Sequence, residues 1–391
     1  MENIWSENKR INLIINILLF LLAINFMHYA QILVPIICLI LFIDNKYRFK
    51  VNNKNIFFVL CLFGITFLYF DRNESYFSFI GLFIPMAYYI GSNIIEPNEN
   101  KIKYIIYIFT YGMTMHIVLN FACDFIIRGM ECFSKNSHLD IWTLSNFPTT
   151  QTATNYMLII GVMFYILVFE NNKKIKMSFI ILSIISFIYL LALGRRTPFL
   201  LLIIVLVFST IYYFTISKKI NYKKILIIII ILIPFVVFTI WSFYAHKENI
   251  FYAKPELLKL SILRKIYSDG LDLGRIDILI NTIKLAPSHL FGGREITTII
   301  GYGPHELWLD IFDASGIIPY VLFVTYSINC LVNIVKVFIN NRLTNQSKIL
   351  FFGVFLSITI QFFLEPILSG SSTILLCCVI LFSCFESLNS N

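Results

Sequence analysis

Charge is what this sequence has least of. Acidic and basic residues together make up 14% of its 391 residues, against 58% apolar, and mean hydropathy is +0.79. A soluble domain of this length cannot face water with so little polar surface. The composition excludes one and leaves a polytopic helical membrane protein. Cysteine is sparse and scattered, eight residues mostly inside apolar runs with no Cys-x-x-Cys pair. That argues against a zinc site or a disulfide framework, although Cys123 and Cys132 are spaced to meet on one surface. No small-residue cleavage site follows the first apolar run, so that run is expected to be a retained span. Paired broken spans in the two halves, the mark of inverted-repeat transporters, are also missing. The net charge of +9 is not a nucleic-acid signal, because its distribution follows the membrane.

What is there is a series of apolar runs. They lie near 11–28, 29–43, 56–70, 77–91, 104–127, 154–169, 177–193, 198–216, 225–243, 317–338, 349–367 and 372–386. They predict about twelve transmembrane helices in one transmembrane domain over residues 1–391, an all-α polytopic fold. Basic residues then set the orientation. With the N-terminus inside, the inner connections hold Lys9, Arg10, Lys46, Arg48, Lys50, Lys54, Lys101 and Lys103. They continue with Lys173, Lys174, Lys176, Lys218, Lys219, Lys223, Lys224, Arg342 and Lys348, seventeen in all. The short outer connections hold five, Arg72, Arg128, Lys135, Arg195 and Arg196. Both termini are therefore expected in the cytoplasm. The long loop of residues 244–316 and the smaller Thr-rich loop of 128–153 are expected outside.

Several polar residues break the outer-surface rule. Gly194-Arg195-Arg196-Thr197-Pro198 reads as a tight turn, with Gly194 ending one helix, Thr197 a cap and Pro198 a first helical position. Free backbone N–H groups at a helix start attract anions, and two guanidiniums beside them suit a pyrophosphate at headgroup depth. The alternative is that both arginines snorkel to ordinary phospholipid headgroups. In the long loop, Leu273-Gly274-Arg275-Ile276-Asp277 opens an amphipathic stretch to about Leu285, with Ile276, Leu279, Ile280 and Ile283 on one face. It suits a helix lying on the membrane surface. Arg275 is either a solvated charge or part of a site; Lys284, Arg264 and Arg294 carry less weight.

The loop closes with Gly301-Tyr-Gly-Pro-His305-Glu306-Leu-Trp308, and its helix is expected to begin at Pro304 with Gly303 as cap. His305 would then sit in the first turn, sharing a face with Leu309, Phe312 and Gly316. The positive helix end favours the neutral imidazole, which can accept a proton. A structural histidine bonded to a loop carbonyl is the plainer reading. Glu365, before Pro366 near the outer end of the eleventh span, and Gln361 one turn earlier are ionisable or polar groups at membrane depth. They would pair with an arginine or hold sugar hydroxyls. Ser145 to Asn155 would line a glycan groove or simply precede a span. Asp124 and Arg128 suit a helix-end pair, and His28, His116 and Asn120 suit interhelical hydrogen bonds. Trp142, Trp241 and Trp308 fall near expected interfaces, and Trp308 also suits stacking on a sugar.

Taken together, these segments resemble the O-antigen polymerase and ligase superfamily, the Wzy-type polymerases and WaaL-type ligases of bacterial envelopes. The shared pattern is a histidine, one polar residue, nine further residues, then glycine and an apolar pair. Here it is His305, Glu306, Leu307 to Ser315, then Gly316-Ile317-Ile318. Gly301-x-Gly303, the basic turn Gly194-Arg195-Arg196, and Arg275 through Leu290-Phe-Gly-Gly293 also fit. Glu306 stands where the family commonly has an amide or hydroxyl, and Pro319 where a small or β-branched residue is usual. The resemblance implies a GT-C-like fold and a bacterial plasma-membrane enzyme acting on its outer face. The implied reaction joins undecaprenyl-pyrophosphate-linked oligosaccharides into O-antigen or capsular polysaccharide, with no cofactor and no metal. It also implies His305 as general base. Arg275 with Arg195 or Arg196 would stabilise the departing pyrophosphate, and Glu365, Trp308 and Glu306 would contact the glycan. Membrane lipids and a chain-length regulator protein are the implied partners. The alternatives are a ligase that moves finished polymer onto a lipid A core, and a lipid-linked oligosaccharide flippase. A flippase should carry paired charges along a path open to both faces, whereas the singular polar residues here gather on the expected outer side.

Overall fold

The computed structural model describes residues 9–70, 79–94, 98–133, 137–195, 197–217, 274–370 and 372–389. The described residues are about 81% helical with almost no sheet. Among the described residues before 218, the α-helices are α1 (Lys9–Ala23), α2 (Ala30–Asp44), α3 (Lys54–Phe70), α4 (Ile80–Asn93), α5 (Glu99–Arg128), α6 (Thr149–Asn155), α7 (Met157–Phe169), α8 (Lys173–Ala192) and α9 (Thr197–Ser217). After residue 273 come α10 (Gly274–Leu285), α11 (Glu295–Ile300), α12 (Leu307–Ser315), α13 (Ile317–Ile339), α14 (Asn345–Leu364), α15 (Ile367–Gly370) and α16 (Ser372–Ser387). The expected run at 225–243 lies outside the described residues.

Among the described residues, six helical segments are long and apolar enough to cross a membrane: α5, α6 with α7, α8, α9, α13 and α14. Helices α1, α2, α3 and α16 are apolar but shorter. The 15 residues of α2 rise only about 22 Å, against a hydrocarbon core of roughly 30 Å. A polar break separates α1 from α2, where Asn25, Met27 and His28 take positive φ. Asn25 satisfies it internally, donating to His28 Nδ1 at 2.9 Å and accepting from Thr373 Oγ1 at 2.9 Å. Away from water such groups have no other partner to turn to.

Two compact units organise these elements. One comprises Met1–His116, Leu273–Leu343 and Ile358–Asn391; the other comprises Ile117–Asp272 and Thr344–Ser357. In the first, α4 packs against α2, α3 and α16, while α13 packs against α3, α12 and α16. Helix α13 buries Pro319, Phe323, Tyr326, Cys330, Ile334 and Val337 at spacings of three and four. Its opposite face exposes Val321, Ile328, Leu331, Val332 and Val335. An apolar face turned outward on a helix that is already packed is what a lipid-facing span looks like.

In the second unit α7 packs against α6, α8 and α9, and its near-continuous apolar sequence is buried almost throughout. Gly161 lets α7 approach Gly353 closely, since a Cβ on Gly353 would lie 2.3 Å from the Gly161 carbonyl oxygen. Small residues at such crossings let membrane helices touch backbone to backbone. The expected 128–153 loop contains an antiparallel hairpin, Ser137–Leu139 with Asn146–Pro148, in register His138 to Phe147. Asp124 anchors that hairpin from within α5. It accepts from Leu139 N at 3.1 Å and Tyr189 Oη at 2.5 Å, and pairs with Arg128 at 3.0 Å. The expected Asp124–Arg128 pair is thus present, and Arg128 also reaches the Ser137 carbonyl at 3.1 Å.

Candidate active site around His305

The described part of the long loop is built of short helices held by backbone contacts. Helix α10 covers the amphipathic stretch read from the sequence, and it leaves Ile280 and Ile283 exposed. The strap Leu290–Gly293 then crosses the α12–α13 junction. Gly293 N donates to Ala314 O at 2.9 Å, Arg294 N to Asp313 O at 2.8 Å, and Ile317 N to Leu290 O at 2.9 Å. The strap can lie this close because Gly292 and Gly316, with φ of +73° and +83°, present no side chain to each other.

Arg294 fastens the same crossing with its side chain. It takes a left-handed φ of 56° ahead of α11, and its Nη1 donates to Asp310 Oδ1 at 2.9 Å. Asp313 Oδ2 lies 3.9 Å from the same nitrogen. Asp313 also accepts from Thr297 N at 3.3 Å and from the Thr297 hydroxyl. Both aspartates are buried, so the guanidinium supplies the counter-charge that buried carboxylates require. His289 and Glu295 add an exposed pair at 2.9 Å.

His305 sits between this buckle and α12. Helix α11 stops at Gly301, which has φ +84°. Helix α12 starts at Leu307, and Glu306 occupies its cap position with extended φ −95° and ψ 141°. The expected helix start at Pro304 is therefore corrected: His305 precedes the helix, outside the first turn. The reason lies in packing, because Leu307 and Ile311 are fully buried and fix where α12 can begin. Leu309, Phe312 and Gly316 accordingly do not share a helical face with His305. The helix-end field reaches the ring only from the flanking position. His305 is half-buried, with its Nδ1 shielded from solvent. The nine residues between Glu306 and Gly316 are α12 itself.

Trp308 ties this segment to the end of α14. Its ring lies 4.6 Å from Phe363 and 6.2 Å from Phe362, and its Nε1 donates to Ser327 Oγ of α13 at 3.0 Å. These contacts give Trp308 an anchoring role in the described structure. Glu365 follows two residues after Phe363, fully buried, its amide bonded to Gln361 O at 3.0 Å. Gln361 is also fully buried, and neither of its side-chain polar atoms has a partner among the described residues. Trp308 therefore brings the start of α12 against the end of α14, where Gln361 and Glu365 lie. Glu306 is half-buried at the head of α12.

Arg195 belongs to the second unit. Its fork holds the start of α6, with Nε donating to Thr149 Oγ1 and Nη2 to Thr150 Oγ1, each at 2.7 Å. Helix α6 is itself mostly buried, including Gln151, Thr152 and Asn155; of the Ser145 to Asn155 stretch this part packs inward, while Ser145, Asn146 and Pro148 are exposed. Arg275 falls in the first turn of α10, and its side chain lies outside the described structure. Arg196 and Arg264 lie outside the described residues.

Two features were missed in the sequence. Arg294 outranks Lys284 because it pairs with acidic residues sixteen or more positions away, and Asp310 and Asp313 read as ordinary face charges of a short helix. The one available signal was the i, i+3 spacing of those aspartates beside an Arg-Glu pair. Chemically, a half-buried imidazole on a clamped loop can take a proton from a hydroxyl, provided a substrate reaches it. No protein-family model matches this chain, and no curated protein matches it.

Proposed function

We propose that the chain polymerises polyprenyl-pyrophosphate-linked oligosaccharide repeats into an O-antigen or capsular polysaccharide at the outer face of a bacterial plasma membrane. In this reading about twelve spans hold a GT-C-like scaffold with both termini in the cytoplasm. His305 takes the proton of the acceptor hydroxyl as that oxygen attacks the anomeric carbon of the donor sugar. The bond from that carbon to the pyrophosphate oxygen breaks, and the lipid pyrophosphate leaves with the electron pair. Arg275 and Arg195 or Arg196 stabilise the charge that develops on it, as fixed cations do when they are aimed where charge grows.

The observation that supports this reading lies in the segment from His305 to Gly316. The interval separating the histidine from the glycine–apolar step is one helix, α12. Its terminal Gly316 is locked under Gly292, where a side chain would clash. Such a lock holds a histidine-bearing loop in one position, the preorganisation that acid–base chemistry needs.

Purified protein in liposomes, supplied with its lipid-linked repeat, should give a ladder of longer glycans without added nucleotide sugar. A ladder lost with His305→Ala and Arg275→Ala, at unchanged protein level, supports the assignment. Transfer of preformed polymer to a lipid A core without any ladder would favour the ligase. Movement of the substrate across the bilayer without chain growth would favour the flippase.

A further inference from the structure

Toward the C-terminal end of α13 lies a second polar site. There the first turn of α3 and the C-terminal parts of α13 and α16 line an open groove of about 350 Å³, formed by asparagine, lysine and one glutamate.

Three observations make it a built site. Asn333 is 6% exposed, and its Nδ2 has no partner among the described residues although it lines the groove. A buried amide donor left unmatched costs free energy, so a ligand acceptor would complete it. Glu386, 7% exposed, is held facing the same space by Tyr88 Oη at 2.6 Å and Asn329 Nδ2 at 3.4 Å. Lys54 and Lys336 both line it, and Lys54 opens α3, whose Asn53 cap accepts from Asn55 N at 3.0 Å.

The charges choose the ligand. Two ammonium groups and the start of a 17-residue helix favour an anion. Glu386 and the asparagine carbonyl oxygens repel bare anionic oxygen but accept from hydroxyl groups. We propose that this groove binds a hydroxyl-bearing phosphate of the phosphoglycerol kind, with the phosphate between Lys54 and Lys336 and the hydroxyls on Glu386 and Asn389. That chemistry is found in the headgroup of an anionic phospholipid and in free glycerol phosphate. The site is independent of glycan polymerisation.

The test is native mass spectrometry of the full chain released from nanodiscs of phosphatidylglycerol or phosphatidylcholine, alongside calorimetry with glycerol 3-phosphate. Selective retention of phosphatidylglycerol, with no calorimetric binding, assigns the lipid; saturable binding of glycerol 3-phosphate assigns the soluble ligand. The exposed pair Lys54→Gln with Lys336→Gln, and separately Asn333→Leu, should each weaken the observed binding about tenfold. The lysine pair lies on the surface and keeps the test valid if Asn333→Leu unfolds. Equal retention of both lipids together with no glycerol phosphate binding, or binding unchanged by the lysine pair, overturns the proposal.

Discussion

Gly292 and Gly316 meet backbone to backbone. A Cβ on Gly316 would stand 2.4 Å from the Leu290 carbonyl oxygen, and one on Gly292 would stand 2.5 Å from the Gly316 nitrogen. Gly316 also holds φ +83° and ψ −169°, a region essentially reserved for glycine.

Gly316→Ala should therefore spring the strap. The expected cost is about 1–3 kcal/mol of local stability, read as faster proteolysis within 286–305 and a shortened or absent glycan ladder. Unchanged cleavage would show that the crossing tolerates the methyl group.

Arg294→Ala should destabilise the protein more than any other single change in the described part of the loop. It strips the cation from the buried Asp310 and Asp313, a loss on the order of 3 kcal/mol, visible as a lower thermal midpoint in detergent. Arg294→Lys should recover only part of it, since lysine has no planar fork. Equal midpoints for wild type and Arg294→Ala would remove the buckle from the account.

His305→Ala should behave in the opposite way. The ring is half-buried on a loop outside α12, so the midpoint should hold while chain growth falls by roughly 100- to 10,000-fold. Loss of the folded protein instead would mark His305 as structural.

The expectation at His305 shows how far the sequence reached. The spacing from His305 to Gly316 was legible as a pattern, but Gly316 was read as part of the helical face and is instead the residue after α12. The start of α12 was not legible, since Pro304 suggested a first helical position while burial of Leu307 and Ile311 decided otherwise. The arginine turn was legible as a turn. That Arg195 would grip Thr149 and Thr150, more than forty residues earlier, was not.

Arg195→Lys tests that grip. It keeps the charge and loses the two-pronged bond, so ladder formation should fall about tenfold or more. Thr149→Val with Thr150→Val, which leaves the guanidinium intact, should lower it as well if Arg195 must be held in place. Full activity of the double valine variant would free the arginine of that dependence.

Gln361 offers a trade between stability and activity. Its amide is buried with both polar atoms unmatched among the described residues, so Gln361→Leu should raise the midpoint by an amount worth about 1–2 kcal/mol. If the amide serves a glycan hydroxyl, the same variant should build shorter chains. A lower midpoint would mean that the amide is satisfied in the folded protein.

The sequence by itself determined that the chain is helical and apolar enough for a membrane, and it marked the Asp124–Arg128 pair. Those are local properties: hydropathy accumulates along the chain, and residues four apart on a helix are neighbours. Only the tertiary structure decided which helices reach spanning length, that His305 stands outside α12, and that Arg294 neutralises Asp310 and Asp313. Those outcomes depend on which distant segments close on each other, because a buried charge takes whatever counter-charge the packing brings within reach. Neither spacing nor composition records that choice.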